Sequence, residues 1–399
     1  MASTPVTTDT SSDSFFVFDP GNLAEDVDTI SFHNDFIGVP WDEFADGDIS
    51  GLPDPWVQAV DAWVDLAEET GKEVFLSLAL VGGSEGRNTL ASRATTSGGT
   101  LATEDGWAAS CFNFHTDADG ERWRQAYLAY VRYMVGRFQP VFLNHAIEVN
   151  LFSLGCDPVD PDAFDSIMEV ADAAYDAAKE LRPGIVAFPS FQIDTMRDNQ
   201  GEGWCSAGSE GACFAIAFER VQAMKRDRFA VSTYPFISEL VGGTFRETWF
   251  EEIAQATGER LVVAETGFAS DDLLLNTGSE SVPACAVYHE ADEPAQEAYL
   301  TVLLTEAERL GMDLVTWWSG RDIFPSRFVT ECPCETETDY CAVLSYFRQV
   351  ATPPTPENQA MAELAFRVFE SMGVRRWDGT PKAALTTWRA WLARPRDGL

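Results

Sequence analysis

The 399-residue sequence predicts an α/β protein, a (β/α)8 TIM barrel. Three observations predict it. Strand and helix patterns alternate from about residue 28 to the end, the order expected of a barrel. Eight strand candidates can be counted, including Glu73–Leu80, Gly184–Pro189 and Phe229–Phe236. Most are short continuous apolar runs, which read as strands buried on both faces of a parallel sheet. No repeat or linker interrupts the alternation, so residues 15–399 are expected to form a single domain. The Ser/Thr-rich residues 1–14 precede it as a disordered tail.

Taken in order, Phe15–Phe18 and Asp28–Phe32 are the first two strand candidates. So few residues separate them that the first helix is reduced or missing. Pro55–Thr70 carries Trp56, Val60, Trp63, Val64 and Ala67 at helical spacing and stops at Gly71. After Glu73–Leu80 comes a long Gly/Ser/Thr-rich loop, from Val81 to about Asp117. A loop of that length without periodicity is usually functional. Helices follow at Arg122–Phe138, Pro161–Leu181 (with Asp160 as cap), Phe214–Met224, Thr248–Thr257 and Ala295–Leu310. The last strand is Met312–Trp318, followed by helices at Pro356–Met372 and Ala383–Leu392.

The formal net charge is −37, from 27 basic and 64 acidic residues. Such a surface repels phosphate backbones and anionic headgroups, so neither nucleic acid nor membrane is an expected partner. No run of about 18 apolar residues could span a bilayer. Cys111, Cys156, Cys205, Cys213, Cys285, Cys332, Cys334 and Cys341 form an even set in polar loops. That favours disulfides and a secreted or periplasmic protein whose signal peptide has been removed. Cys205 with Cys213 is one local pairing; Cys332 or Cys334 with Cys341 is another. Four scattered histidines and a poor Cys spacing argue against a metal centre, and no motif calls for a cofactor. A monomer is expected.

Two carboxylates carry the functional reading. Glu148 ends the run Leu143–Val149, and Glu265 ends Leu261–Ala264. Desolvating a carboxylate is costly, so neither has a packing reason to sit there. In a barrel the C-terminal strand ends form the active site. Gathered at those ends are His33, Asn34, Glu148, Asn150, Tyr234, Glu265, Trp317, Trp318, Arg321 and Asp322, with Trp41, Trp107 and Trp204 as a candidate aromatic rim. Paired carboxylates with aromatic platforms suit glycans, whose apolar faces stack on rings.

The strand-four motif around Glu148, Ser232-x-Tyr234-Pro235, Ala264–Phe268 (AETGF) and Trp317-Trp318 together resemble clan A retaining glycoside hydrolases, most nearly the endo-β-1,4-galactanase type. The resemblance covers residues 28–392 but rests on few positions. It implies Glu265 as nucleophile and Glu148 as acid/base, with Tyr234 bonded to the nucleophile and Trp318 as a sugar platform. Two positions depart from the pattern. Ile147 stands where the clan places Asn, with Asn150 as the candidate substitute. His33-Asn34-Asp35 stands where the clan places an arginine. Ile147 favours the alternative of a catalytically silent carbohydrate-binding protein on the same scaffold.

Overall fold

The computed structural model describes residues 2–3, 25–82, 87–197, 205, 209–235, 246–276, 285–322 and 367–394. Contacts group the chain into two compact units. The first comprises residues 1–8, 27–265 and 310–316. The second comprises 9–26, 266–309 and 317–399.

The strands form a closed barrel. In chain order they are β1 (Ala2–Ser3), β2 (Thr29–His33), β3 (Glu73–Ser77), β4 (Phe142–Ala146), β5 (Val186–Gln192), β6 (Phe229–Thr233), β7 (Leu261–Thr266) and β8 (Val315–Trp317). Each is hydrogen-bonded to its neighbour in sequence, and β1 closes on β8. The registers from β1 to β6 are parallel throughout. Ala2–Ser3 is thus a strand at two positions where a disordered tail is expected. The candidate strand Phe15–Phe18 lies outside the described residues, as do Trp204, Cys332, Cys334, Cys341 and most of the helix expected at 356–372.

Helices return the chain between strands. α1 (Asp54–Thr70) buries Trp56, Val60, Trp63 and Leu66, one stripe at helical spacing. Gly71 ends it with φ 61°, the left-handed cap that glycine adopts without penalty. α2 (Gly120–Phe138) precedes β4, and α3 (Pro161–Leu181) follows it, its first turn capped by the Asp160 carboxylate on the Asp162 amide. α4 (Glu210–Val221) and α5 (Trp249–Thr257) stand before β6 and β7.

The loop expected at 81–117 is not structureless. It contains two antiparallel ribbons, Val81–Gly82 with Thr89–Leu90 and Arg93–Ser97 with Thr100–Glu104. The indoles of Trp41 and Trp107 both donate to the Ala91 carbonyl at 2.9 Å, and the two rings lie 5.5 Å apart. Trp41 is fully buried and Arg93 covers Trp107 at 4.4 Å. Both rings therefore pin this loop, where a sugar-binding rim is expected.

One floor of the core is apolar: Phe75, Phe142, Phe188, Ala230, Val262, Ala264 and Leu314 pack together. Two residues further along their strands, Ser77, Asn144, Ser190 and Ser232 are small, polar and buried. Period two puts them on the same strand face as Phe75, Phe142, Phe188 and Ala230, so a polar layer lies directly above the apolar one.

The second unit has its own anchors. Asp26 accepts from Arg375 and Arg389, each at 2.7 Å, and the Trp388 indole donates to its carbonyl. A side chain at Gly267 would lie 2.5 Å from the Trp318 carbonyl, so only glycine fits between Thr266 and Phe268. The expected terminal helix is present as Ala383–Leu392.

Candidate active site

In the first unit, five ionisable groups form one connected network beyond β2, β3, β4 and β7. Glu148 is not at the tip of β4 as the apolar run predicts. The strand ends at Ala146, and Glu148 sits in the following turn with φ 45°. The polar layer explains the turn. Asn144 donates to the Ser190 hydroxyl at 2.8 Å, and that hydroxyl accepts the Glu148 amide at 2.9 Å. The Ser190 carbonyl accepts the Val149 amide at 3.1 Å. A left-handed non-glycine residue costs on the order of 1–3 kcal/mol, and these bonds hold it in place.

The Glu148 carboxylate has two partners. Ser232 on β6 donates to Oε1 at 2.6 Å, and Arg87 Nε donates to Oε2 at 3.1 Å. Arg87 also holds Asp35, with Nη2 at 2.5 Å from Oδ2 and Nη1 at 3.3 Å from Oδ1. Burial pushes the Glu148 carboxyl up and the Glu265 charge adds to this, outweighing Arg87 and Ser232. Asp35 is moved the other way: Arg87 and His33 overcome its burial and hold it below the usual carboxylate range.

Glu265 lies on β7 and is 9% exposed. Tyr234 donates its phenolic hydroxyl to Oε1, and His33 Nε2 lies 3.3 Å from Oε2. Burial disfavours the charged form of His33, yet the hydrogen bond and charge of Glu265 raise its pKa. The Tyr234 hydroxyl is pushed well up by burial and by Glu265, so it stays a donor. Tyr234 is placed by Asp194, which accepts the Tyr234 amide at 2.9 Å, the Thr233 hydroxyl at 3.1 Å and the Gln192 amide at 2.8 Å.

His33, Glu148, Tyr234 and Glu265 are thus brought together, while two other candidates are committed elsewhere. Asn150 does not share a direction with Glu148. It opens a helix, Asn150–Cys156, is fully buried, and exchanges two hydrogen bonds with the Gln192 backbone at 2.8 and 3.0 Å. Strand periodicity fails there because the strand has already ended. Asn34 is 1% exposed and donates to the Tyr130 hydroxyl, which ties β2 to α2. Ile147 is fully buried and offers no polar group.

The remaining candidates lie in the second unit. The Trp317 indole donates to the Met372 carbonyl at 2.8 Å, and the ring is 1% exposed, a core residue. Trp318 is 6% exposed with its ring 6.0 Å from Phe369, and its peptide bond to Ser319 is cis. Arg321 donates to the Trp377 carbonyl. Asp322 pairs with Lys382 at 2.6 Å and accepts the Gly373 amide at 2.9 Å. Burial pushes its carboxyl up to about 7 against the pull of Lys382, and burial lowers Lys382 in turn. Asp322 is a structural pair partner, although sugar binding is expected of it.

Arg87, Ser190 and Asp194 are absent from the sequence reading of the site, while Ser232 and Asp35 enter it only as members of the Ser232-x-Tyr234-Pro235 and His33-Asn34-Asp35 segments, with no role of their own.

Two disulfides close loops of the first unit: Cys205–Cys213, as the local spacing predicts, and Cys111–Cys156, separated by 45 residues. Among the described residues, no helix is long and apolar enough to cross a membrane, and no cluster of three or more His, Cys, Asp or Glu could hold a metal ion.

No protein-family model matches the sequence, and no curated protein matches it either. Solved structures do. The GH5_18 protein of Bifidobacterium longum subsp. longum, in complex with Manb1-4GlcNAc, is similar at TM-score 0.50 and 16% identity, over 95% of this chain and 73% of that one. The β-glycosidase BGL167 is similar at TM-score 0.53 and 13% identity, over 95% and 86%. The Bacteroides uniformis β-glucuronidase 2 structure matches at TM-score 0.46 and 12% identity, and this chain spans only 32% of its length. At these identities the shared property is the fold: the chain is a (β/α)8 barrel like those of solved glycoside hydrolases.

Proposed function

We propose that the protein is a glycoside hydrolase that cleaves a β-linked glycan by double displacement. One observation carries the reading: the two carboxylates expected at strands four and seven belong to a single connected, partly buried network, and their environments differ. Glu148 is pushed toward its protonated form by burial and by the charge of Glu265, the state a general acid needs. Glu265 accepts bonds from Tyr234 and stands beside His33, which hold it in place as a nucleophile.

In the first step Glu148 protonates the departing glycosidic oxygen as Glu265 attacks the anomeric carbon. In the second, Glu148 takes a proton from water, which attacks the same carbon and releases Glu265. The two disulfides favour a secreted or periplasmic setting, and the partner is carbohydrate.

The buried Ile147 favours the second reading, a silent carbohydrate-binding protein. A panel of β-glycans, with product stereochemistry followed by NMR, separates the two. Turnover with retained configuration, lost in Glu265→Gln, supports the enzyme. Binding without turnover, or inversion, removes the double displacement.

A further inference from the structure

Two segments that are remote in sequence meet at Glu148, and both adopt an unfavourable backbone to do so. Arg87 has φ 58° and Glu148 has φ 45°. Left-handed conformations at non-glycine residues persist where the surroundings over-determine them, and they cluster at functional sites. Arg87 is fixed from three sides: by both oxygens of Asp35, by the Val81 carbonyl at 3.1 Å, and by Glu148.

The residue after Arg87 is where the 45-residue disulfide bears. The Cys111 amide donates to the Asn88 carbonyl at 2.7 Å, and Cys156 Sγ lies 3.6 Å from the same oxygen. A side chain on Gly155 would stand 3.2 Å from Asn88 Cβ, so that helix packs against Asn88 closely. The next residue, Thr89, donates to the Ala108 and Ala109 carbonyls at 3.1 and 3.2 Å. Cys156 ends the helix that begins two residues after Glu148. The crosslink therefore ties the segment carrying the guanidinium to the segment carrying the carboxylate.

We propose that Arg87 is a positioning residue that fixes the Glu148 carboxyl and sets when it gives up its proton, and that the Cys111–Cys156 disulfide holds Arg87 in that position. The inference rests on the reading of Glu148 as acid/base for its kinetic consequence. The groups facing Glu148 are Arg87 from the loop after β3, Ser232 on β6, Tyr234 just beyond its end, and Glu265 from β7. Asp35 and His33, at the end of β2, act through Arg87 and Glu265. Only Arg87 contributes a cation in direct contact with the Glu148 carboxylate among the described residues. Its removal moves the Glu148 midpoint upward, because an opposite charge stabilises the ionised form.

The test follows the Glu148 carboxyl by 13C NMR in the oxidised full chain, with Glu148→Gln assigning the resonance. The pH profile of kcat/KM is measured alongside it. Arg87→Met is expected to raise the midpoint by about 1–3 pH units, and to move the alkaline limb of the profile in the same direction. Arg87→Lys recovers part of the shift. The double variant Cys111→Ala/Cys156→Ala gives a smaller shift of the same sign with the barrel's far-UV spectrum intact. If Arg87→Met does not fold, Arg87→Lys and the cysteine variant carry the test. An unmoved midpoint in the folded Arg87 variants overturns the positioning role. An unmoved midpoint in the cysteine variant alone overturns the role of the disulfide. Shifted midpoints in a protein that cleaves no glycan uphold the positioning and remove the glycosidase reading instead.

Discussion

Asp194 gives the sharpest test of how the site is built, because its substitutions separate hydrogen-bond geometry from charge. The carboxylate is 2% exposed and accepts three donors: the Tyr234 amide, the Gln192 side-chain amide and the Thr233 hydroxyl. In Asp194→Ala the two N–H donors lose their acceptor in a buried place, at about 1–3 kcal/mol each, while the hydroxyl can rotate to another partner. With the lost volume, the expected destabilisation is about 3–6 kcal/mol. In Asp194→Asn the carbonyl oxygen can still face the two N–H groups, and the amide can face the Thr233 oxygen, so the cost falls to about 1 kcal/mol. Urea unfolding followed by tryptophan fluorescence reads both. Since Tyr234 carries the bond to Glu265, kcat/KM should fall in the same order, Ala well below Asn. An alanine variant within 1 kcal/mol of the parent, or an asparagine variant as poor as alanine, would refute the scaffolding role argued for Asp194.

Further outcomes follow from the same network. Glu148→Ala should lower kcat/KM by about 10²–10⁴-fold on glycans with poor leaving groups, and far less on aryl glycosides that need no proton; equal losses on both would remove Glu148 as the acid. The raised His33 pKa stabilises the fold while the ring is charged. That contribution is fully present below the unfolded value of 6.5 and is lost as pH rises through the raised folded one. His33→Gln should therefore cost most stability in acid and least in alkali, a trend that urea midpoints across pH would reverse if the argument failed. Loop entropy makes the Cys111–Cys156 bridge worth about 4 kcal/mol and the Cys205–Cys213 bridge about 2.5 kcal/mol. Unfolding of the two paired-serine variants checks that order.

The barrel was legible because its evidence is local. Apolar runs such as Leu261–Ala264 and caps such as Gly71 and Asp160 declare strands and helix ends within a few residues. Glu265 and Tyr234 were legible for the same reason, since both belong to regular strands or their immediate ends. Glu148 was found as a residue but misplaced as a conformation: its left-handed turn depends on Ser190, 42 residues away. That error carried Asn150 with it, because alternation was extended past the end of β4. Arg87 left no local trace at all. It sits in a polar loop, and its meaning comes from Asp35 and Glu148, 52 and 61 residues distant. Asp322 and Trp317 show the opposite failure. Their positions after strand eight look functional, and only their partners Lys382 and Met372 show them to be structural.

The shared network has a consequence for the charge of the site through a reaction cycle. Asp35 and the Glu265 carboxyl face Arg87 and the His33 that Glu265 holds toward its charged form. In the proposed reaction Glu148 becomes an anion in the same step that turns Glu265 into a neutral ester. The total is therefore the same before and after, and charge only crosses from one carboxyl to the other. Arg87 stands beside Glu148 in that exchange and His33 beside Glu265, so each carboxylate forms next to a side chain that favours its charge. The environment needs no reorganisation to receive it, which is how a fixed polar site lowers a barrier.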